Sequence, residues 1–254
     1  MGLLQRIKNA VFVRKIYYWL ISVIAGVNHR HEKRRKRNDQ LIRVVFICQY
    51  VPSWNKISPT YHRLEEDDRF AVSILCVPES ISSKENKTYL FFLSHGYNGV
   101  LNAWNNGRWI SLKEFDADYF FFYRPYDNYL PWPYKSFIAC RYGKICMIPY
   151  GTSMSRDLME SAFKYPFMSN VAILFADSMA EVEYNSAHNK RFSDQRFLYC
   201  GIPALESVLL EKNSSAPSWE WSRNSFRIMW TPRWSLNQKG GGSNYFKYYH
   251  RYIL

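Results

Sequence analysis

The chain has 254 residues, which is enough for one large core, or for one domain and part of another. Hydrophobic residues make up 47% of it and charged residues 22%, ordinary values for a globular protein. The formal net charge is +13, but residues 1–37 supply +9 of it, with ten Lys or Arg against one acid. The remainder is therefore nearly neutral, which argues against a nucleic-acid-binding domain with a basic face.

The first 38 residues form a basic and partly apolar segment. Its longer apolar stretch, residues 16–27, has about a dozen residues, fewer than the roughly 20 that a helix needs to span a bilayer. Arg14 and Lys15 separate it from a shorter apolar run at 10–13, and the basic run at 30–37 follows it. The pattern predicts an amphipathic helix on an anionic, cytoplasmic membrane surface. The alternatives are a signal peptide, a true membrane span and a nucleic-acid-binding arm.

From residue 39 onward, predicted strands and helices alternate, which indicates a parallel sheet with helices on both faces. Six strands are predicted, at 42–48, 70–77, 118–123, 144–148, 171–176 and 196–200. Helices are predicted at 57–68, 86–94, 109–115, 134–141, 178–188 and 203–210. We therefore predict an α/β, Rossmann-like domain at 39–212, followed by a polar linker that begins near residue 211.

Residues 213–254 are predicted to hold this linker and the first strand of an incomplete second Rossmann-like domain. The apolar run at 226–230 ends at Thr231-Pro232, because proline has no N–H to give to a sheet. Arg233 and a glycine triplet at 240–242 follow. A guanidinium and a loop with little side-chain bulk beyond a strand end are typical of one wall of a phosphate-binding cleft.

Metal and cofactor motifs are absent from the sequence. The five cysteines, at positions 48, 76, 140, 146 and 200, are widely spaced in apolar runs, so we predict buried free thiols in a reducing compartment. No Cys/His group has zinc spacing, and there is no GxGxxG, Walker, GxSxG or HExxH motif. We expect no structural metal and no cofactor.

Four loops follow predicted strands and could carry chemistry. They are residues 50–55, Arg124 to Asp127, residues 149–153, and Gly201-Ile202-Pro203, which opens a helix. A single loop of this kind is more often a turn that satisfies its own backbone. Because the carboxyl ends of parallel strands share one sheet edge, four such loops together predict a binding site.

Several segments resemble a known family. Residues 54–78, 118–151, 201–203 and 229–234 are similar, in order and spacing, to the CDP-glycerol:poly(glycerophosphate) glycerophosphotransferase family, which includes teichoic acid polymerases and primases. The resemblance implies a GT-B fold of two Rossmann-like domains and a peripheral membrane enzyme of cell-wall teichoic acid or polysaccharide biosynthesis. It also implies a nucleotide-activated donor such as CDP-glycerol, a membrane-linked glycan acceptor and no catalytic metal.

The resemblance also suggests substrate-binding residues. On the first domain, near the acceptor, these are Arg124, Tyr126, Asp127, Tyr150, Gly151, Thr152 and Ser153, with Gly201 at the neighbouring strand end; Thr231 and Arg233 would face the donor phosphates. Tyr150 occupies the position of a family histidine taken as a catalytic base, and a tyrosine with a pKa of about 10 is a poor base at neutral pH. The catalytic residue is therefore unknown, and a truncated, inactive remnant or docking subunit is the alternative reading.

Overall fold

A computed structural model describes residues 41–79, 85–151, 155–163 and 166–211, together with the isolated positions Ile16, Leu20 and Val23. The chain divides into two units, Met1–Asn213 and Ser214–Leu254, and all described residues belong to the first. The predicted strand at 226–230 and most of the predicted N-terminal helix lie outside the described residues. Within the described part of the chain, no helix is long and apolar enough to cross a membrane.

Seven parallel strands form the central sheet, and a two-stranded hairpin accompanies it. The strands are β1 (Ile42–Cys48), β2 (Phe70–Cys76), β3 (Val100–Asn102), the hairpin strands β4 (Trp104–Asn105) and β5 (Arg108–Trp109), then β6 (Tyr119–Phe122), β7 (Lys144–Met147), β8 (Val171–Ala176) and β9 (Arg196–Tyr199). The order across the sheet is β3-β2-β1-β6-β7-β8-β9. This is the Rossmann strand order with one further strand, so the predicted α/β, Rossmann-like class is confirmed for this domain.

Among the residues that the structure describes, five α-helices connect strands of the sheet and a sixth follows β9. They are α1 (Ser58–Glu65), α2 (Lys87–Ser94), α3 (Ser136–Ala139), α4 (Arg156–Phe163), α5 (Met179–His188) and α6 (Ala204–Glu211). Short 3₁₀ helices occupy Val51–Lys56, Leu112–Phe115, Trp132–Tyr134 and Pro166–Asn170. Side-chain caps fix two helix starts, because Asn86 accepts a hydrogen bond from the Tyr89 amide and Ser178 accepts one from the Glu181 amide.

The six predicted strands are present with ends within one residue, but the predicted strand count is wrong, because β3 is a seventh. The predicted helix at 109–115 is also wrong at its start, since Trp109 belongs to the hairpin. Asn106 and Gly107 have φ of 49° and 75°, as the two central residues of a type I′ turn require. This Asn-Gly turn joins β4 to β5, so Trp109 pairs with Trp104 in the hairpin and does not begin a helix. Helix α4 was not predicted.

Both faces of the sheet are buried, which explains the continuous apolar strands. In β1, Val45 and Ile47 belong to one core cluster, while Phe46 and Cys48 belong to the other. In β6, Phe120 and Phe122 belong to the first cluster and Phe121 belongs to the second. The middle of the sheet is therefore a rigid support for the loops at its ends.

Four of the five cysteines are buried free thiols, as predicted, but Cys200 is exposed. It directly follows β9, the edge strand, most of whose residues are also exposed. The prediction was wrong at this position because the edge strand has a neighbouring strand on one side only, so its other side is not covered by the sheet.

Candidate functional site

The strand registers bring the four predicted loops to one edge of the sheet. Phe46 of β1 pairs with Phe121 of β6, and Phe122 pairs with Met147 of β7. Continuing these registers places Arg124 at the level of Gln49 on one side and of Pro149 on the other. Strands β8 and β9 run in the same direction, so the loop at Gly201 emerges at the same edge.

The winding of the chain reverses between β1 and β6. Strands β2 and β3 lie on one side of β1, and β6 to β9 lie on the other, so the crevice above β1 and β6 is the topological switch point where ligands bind in open α/β sheets. A depression occupies this crevice, with about 280 Å³ of space that includes the open solvent above it. We call it the switch-point pocket, and it is lined by Ile47, Gln49, Phe122, Tyr123, Arg124, Tyr126, Tyr129 and Leu130.

Tyr123 joins the loops after β1 and β6. Its hydroxyl accepts hydrogen bonds from the amides of Tyr50 (2.8 Å) and Gln49 (3.2 Å) and donates to the Tyr50 carbonyl (2.9 Å). The side chain is buried, and burial raises the pKa of Tyr123 well above its ordinary value, so the hydroxyl stays neutral. Tyr123 is therefore a fixed cross-link beneath the pocket.

Arg124 lies among three tyrosine rings. Its Cζ is 4.9 Å from the ring centroid of Tyr50, 5.2 Å from that of Tyr129 and 5.6 Å from that of Tyr126. All three distances fall within the range of cation–π attraction. Among the described residues, no carboxylate forms an ion pair with Arg124. A positioned guanidinium without a counter-ion suits an anionic ligand.

Gln49 holds the far side of this pocket. Its side chain is 7% exposed, and Nε2 donates to the carbonyls of Tyr129 (2.6 Å) and Pro78 (3.3 Å). The Gln49 carbonyl in turn accepts a hydrogen bond from the Thr88 hydroxyl, 3.1 Å away. These bonds fix the backbone at Tyr129, whose ring is 57% exposed beside the guanidinium.

Asp127 follows the pocket loop but is directed at helix α3. Its Oδ1 accepts from the Ser136 amide and its Oδ2 from the Ser136 hydroxyl, both at 2.6 Å. Asn170 donates to the same hydroxyl at 2.8 Å. Burial raises the pKa of Asp127, and the hydrogen bonds from Ser136 offset part of that shift. The carboxylate thus ties the loop to the helix start.

A second depression lies beside the first, above the ends of β7, β8 and β9. This β7–β9 pocket is lined by Lys56, Ile148, Pro149, Tyr150, Gly151, Phe175, Asp177, Gly201, Ile202 and Pro203. The Tyr126 and Tyr150 hydroxyls are 3.1 Å apart and link it to the switch-point pocket. Gly201 has a φ of 76°, a backbone conformation that favours glycine and turns the chain from β9 into α6.

Among the predicted site residues, Arg124, Tyr126, Tyr150, Gly151 and Gly201 line these two adjacent pockets. Thr152, Ser153, Thr231 and Arg233 lie outside the described residues. The sequence did not indicate five residues that line or support the pockets, namely Gln49, Lys56, Tyr123, Tyr129 and Asp177. An available signal was the concentration of tyrosines in the two loops after β1 and β6.

The described residues contain no group of three or more His, Cys, Asp or Glu arranged to hold a metal ion. No protein-family model matches the chain, and no curated protein gives a match.

Proposed function

We propose that the protein is a membrane-associated, CDP-glycerol glycerophosphotransferase-like enzyme of teichoic acid or other cell-envelope polysaccharide biosynthesis. It would transfer a polyol phosphate or a sugar unit from a nucleotide-activated donor to a membrane-linked glycan. The observation that carries the proposal is Arg124, a guanidinium held at the topological switch point without a carboxylate partner among the described residues. The sequence resemblance supplies the reaction class.

In this proposal the described domain is the acceptor-binding half of a GT-B fold. The acceptor lies along the edge formed by the switch-point and β7–β9 pockets, with its anionic groups facing Arg124 and its hydroxyls facing Tyr126 and Tyr150. The donor phosphates lie against Thr231 and Arg233. Catalysis by positioning and electrostatics, without a metal, is compatible with this arrangement.

Three apolar residues near the N-terminus support association with a membrane surface. Ile16, Leu20 and Val23 are helical, and their spacing of four and three residues places them on one helix face. They are 42%, 48% and 44% exposed. An exposed apolar face within a segment of net charge +9 suits an anionic bilayer, whose lipids attract the cations while the apolar side chains enter the interface.

The transferase proposal is tested by release of CMP from CDP-glycerol in the presence of membrane acceptors. We expect acceptor-dependent release that falls at least about tenfold in Arg124→Met, because a charged hydrogen bond contributes roughly 1.5–3 kcal/mol. The control is Arg69→Met, which removes the same charge at the opposite sheet edge, where Arg69 pairs with Asp67. Acceptor binding without turnover would favour the docking-subunit alternative. The absence of both acceptor binding and turnover would refute the enzyme proposal and the docking-subunit alternative.

Membrane association has its own test, in which the chain is sedimented with anionic vesicles. We expect binding that weakens with added salt and is lost when residues 1–37 are deleted. Vesicles of neutral lipid are the control. Undiminished binding after the deletion would contradict the proposed surface.

A further inference from the structure

The exposed aromatic side chains of the described residues all lie at one end of the sheet. Each of them ends a strand or belongs to the loop or hairpin that follows a strand, at the carboxyl edge that also holds the two pockets. They are Tyr50 after β1, Trp104 after β3, Tyr129 and Trp132 after β6, Tyr150 after β7, and Tyr199 at the end of β9. We call this set the aromatic rim.

The amino edge of the same sheet has a different chemistry. Arg69 binds Asp67 at 2.6 Å just before β2, and Arg43 of β1 pairs with Asp116 at 3.6 Å just before β6. The side chains of both pairs are partly or largely exposed to water. The described domain is therefore polarised along its strands, because its amino edge carries hydrated ion pairs and its exposed rings are at the carboxyl edge.

A buried tyrosine supports the most exposed part of the rim. Trp132 is 64% exposed, whereas Tyr134, two residues later, is fully buried. The Tyr134 hydroxyl lies 2.9 Å from the carbonyl oxygens of Ala103 and Ile110, the residues on either side of the hairpin that carries Trp104. One hydroxyl thus fixes the positions of two segments of the rim. Rings that are already positioned lose less conformational entropy when a partner covers them.

The width and charge of the rim favour a membrane as this partner. The rim extends across all seven strands of the sheet, and at about 4.8 Å per strand spacing it is roughly 30 Å wide, which suits a flat and extended surface. Beside Trp132, Lys135 Nζ lies 5.8 Å from the ring centroid, whereas the only carboxylate of this loop, on Asp127, is bound to the start of α3. Trp and Tyr rings near cations are typical of segments at the surface of an anionic bilayer.

We propose that the aromatic rim contacts an anionic membrane, so that the carboxyl edge of the sheet faces the lipid headgroups. Residues 1–37 and the rim are then two separate contacts with one bilayer. Stable association requires two such signals, because a single weak one gives marginal and reversible binding. This orientation brings both pockets to the membrane surface. The inference deepens the membrane association of the proposed function and rests on it.

Quenching by brominated lipid tests the contact directly. The full chain is bound to vesicles of equal parts phosphatidylcholine and phosphatidylglycerol, with or without bromine on the acyl chains, and the loss of tryptophan fluorescence is measured. We expect the quenched intensity to fall in Trp132→Phe and to fall further when Trp104→Phe is added. Trp54→Phe is the control and should leave the quenched intensity unchanged, because Trp54 lies in the core at 4% exposure.

Sedimentation with the same vesicles measures the contribution of the rim to affinity. Trp132→Ser combined with Tyr129→Ser should weaken binding of the full chain at least about tenfold, since both rings lose apolar area that the interface would cover. This contribution is apolar, so the ratio of the two affinities should stay constant as added salt weakens both through residues 1–37. Leu41→Ser is the matched control, because it removes a 37% exposed apolar side chain at the amino edge, and it should not change binding.

Two results would overturn the inference: quenching that Trp132→Phe does not reduce, or an affinity of the double serine variant equal to that of Leu41→Ser. A loss of CMP release to a soluble acceptor, with vesicle binding unchanged, would assign the rings to the acceptor instead. If the serine variant does not fold, the conservative Trp132→Phe decides by quenching. Neither assay needs donor turnover, so the rim and the transferase function can fail separately, whereas a wild-type chain that binds no vesicles would refute both membrane contacts.

Discussion

The hydroxyl of Tyr123 is the atom that most directly joins the two loops of the switch-point pocket, and Tyr123→Phe removes it alone. Three hydrogen bonds are lost, two accepted from the amides of Gln49 and Tyr50 and one donated to the Tyr50 carbonyl. The ring remains in place, so no cavity of the size of a side chain is made. The experiment thus isolates the polar cross-link from the packing.

The expected loss of stability follows from those three bonds. Each neutral hydrogen bond contributes about 1 kcal/mol net, and a buried group left without a partner adds to the cost. Water can reach Tyr50, which is 36% exposed, and so can replace part of the lost bonding there. Water reaches Gln49 much less, because this residue is 7% exposed. We therefore expect Tyr123→Phe to lower the free energy of unfolding by about 2–3 kcal/mol.

Urea denaturation of the full chain measures this change as a shift of the midpoint at constant slope. The matched control is Tyr199→Phe, because Tyr199 is 60% exposed on the edge strand and its replacement should change stability by less than about 0.5 kcal/mol. A loss for Tyr123→Phe no larger than that of the control would refute the reasoning.

Three further predictions concern single positions. Gly143→Ala should destabilise the fold by roughly 1–3 kcal/mol, because the new Cβ would lie 2.8 Å from the Ala117 carbonyl oxygen. Gly151→Ala is the control, because a Cβ there would meet no atom within 4 Å, and it should leave stability unchanged in the same denaturation assay. Asp127→Ala should cost about 1–2 kcal/mol through loss of the bonds to Ser136, and an unchanged free energy of unfolding would contradict that role. An NMR titration of Asp67 should give a pKa of about 2, because the Arg69 side chain and the Arg69 backbone amide both bind its carboxylate. The stabilising effect is present above the ordinary pKa of 3.8 and is lost as the pH falls through about 2. Arg69→Met should raise the pKa of Asp67 part of the way to the ordinary value, because it removes the guanidinium and keeps the amide.

The strands could be predicted from the sequence because both faces of the sheet are buried. A strand such as β8 is then a continuous apolar run with clear ends, and its bounds agree with the prediction. Strand β3 has three residues and is too short for such a pattern. Its position depends on Gly99, where φ is 62° and a Cβ would lie 2.7 Å from the Val72 carbonyl oxygen. That close approach is a tertiary contact, which the local sequence does not specify.

The site could be predicted at the level of loops but not of side chains. Arg124 and Asp127 lie three residues apart in one loop, and the sequence offered both as ligand-binding groups. In the structure the guanidinium lies among tyrosines at the pocket, whereas the carboxylate binds Ser136 on α3. Which group faces the pocket depends on the start of helix α3, nine residues after Asp127, and on Asn170, which is 34 residues farther along the chain.

The position of Arg124 also follows from the alternation of faces along β6. Phe121 and Tyr123 share one face of the sheet, and Phe120 and Phe122 share the other. Tyr123 is the last residue of this segment that is bonded to the chain on both sides. Its carbonyl accepts a hydrogen bond from the Tyr150 amide at 3.0 Å, and its hydroxyl accepts one from the Tyr50 amide after β1. The next residue is thus the first whose side chain is free of both cores. A cation placed there is anchored by a buried residue on its amino side and by contacts with three tyrosine rings, while no carboxylate among the described residues neutralises its charge, so the charge can attract an anionic ligand.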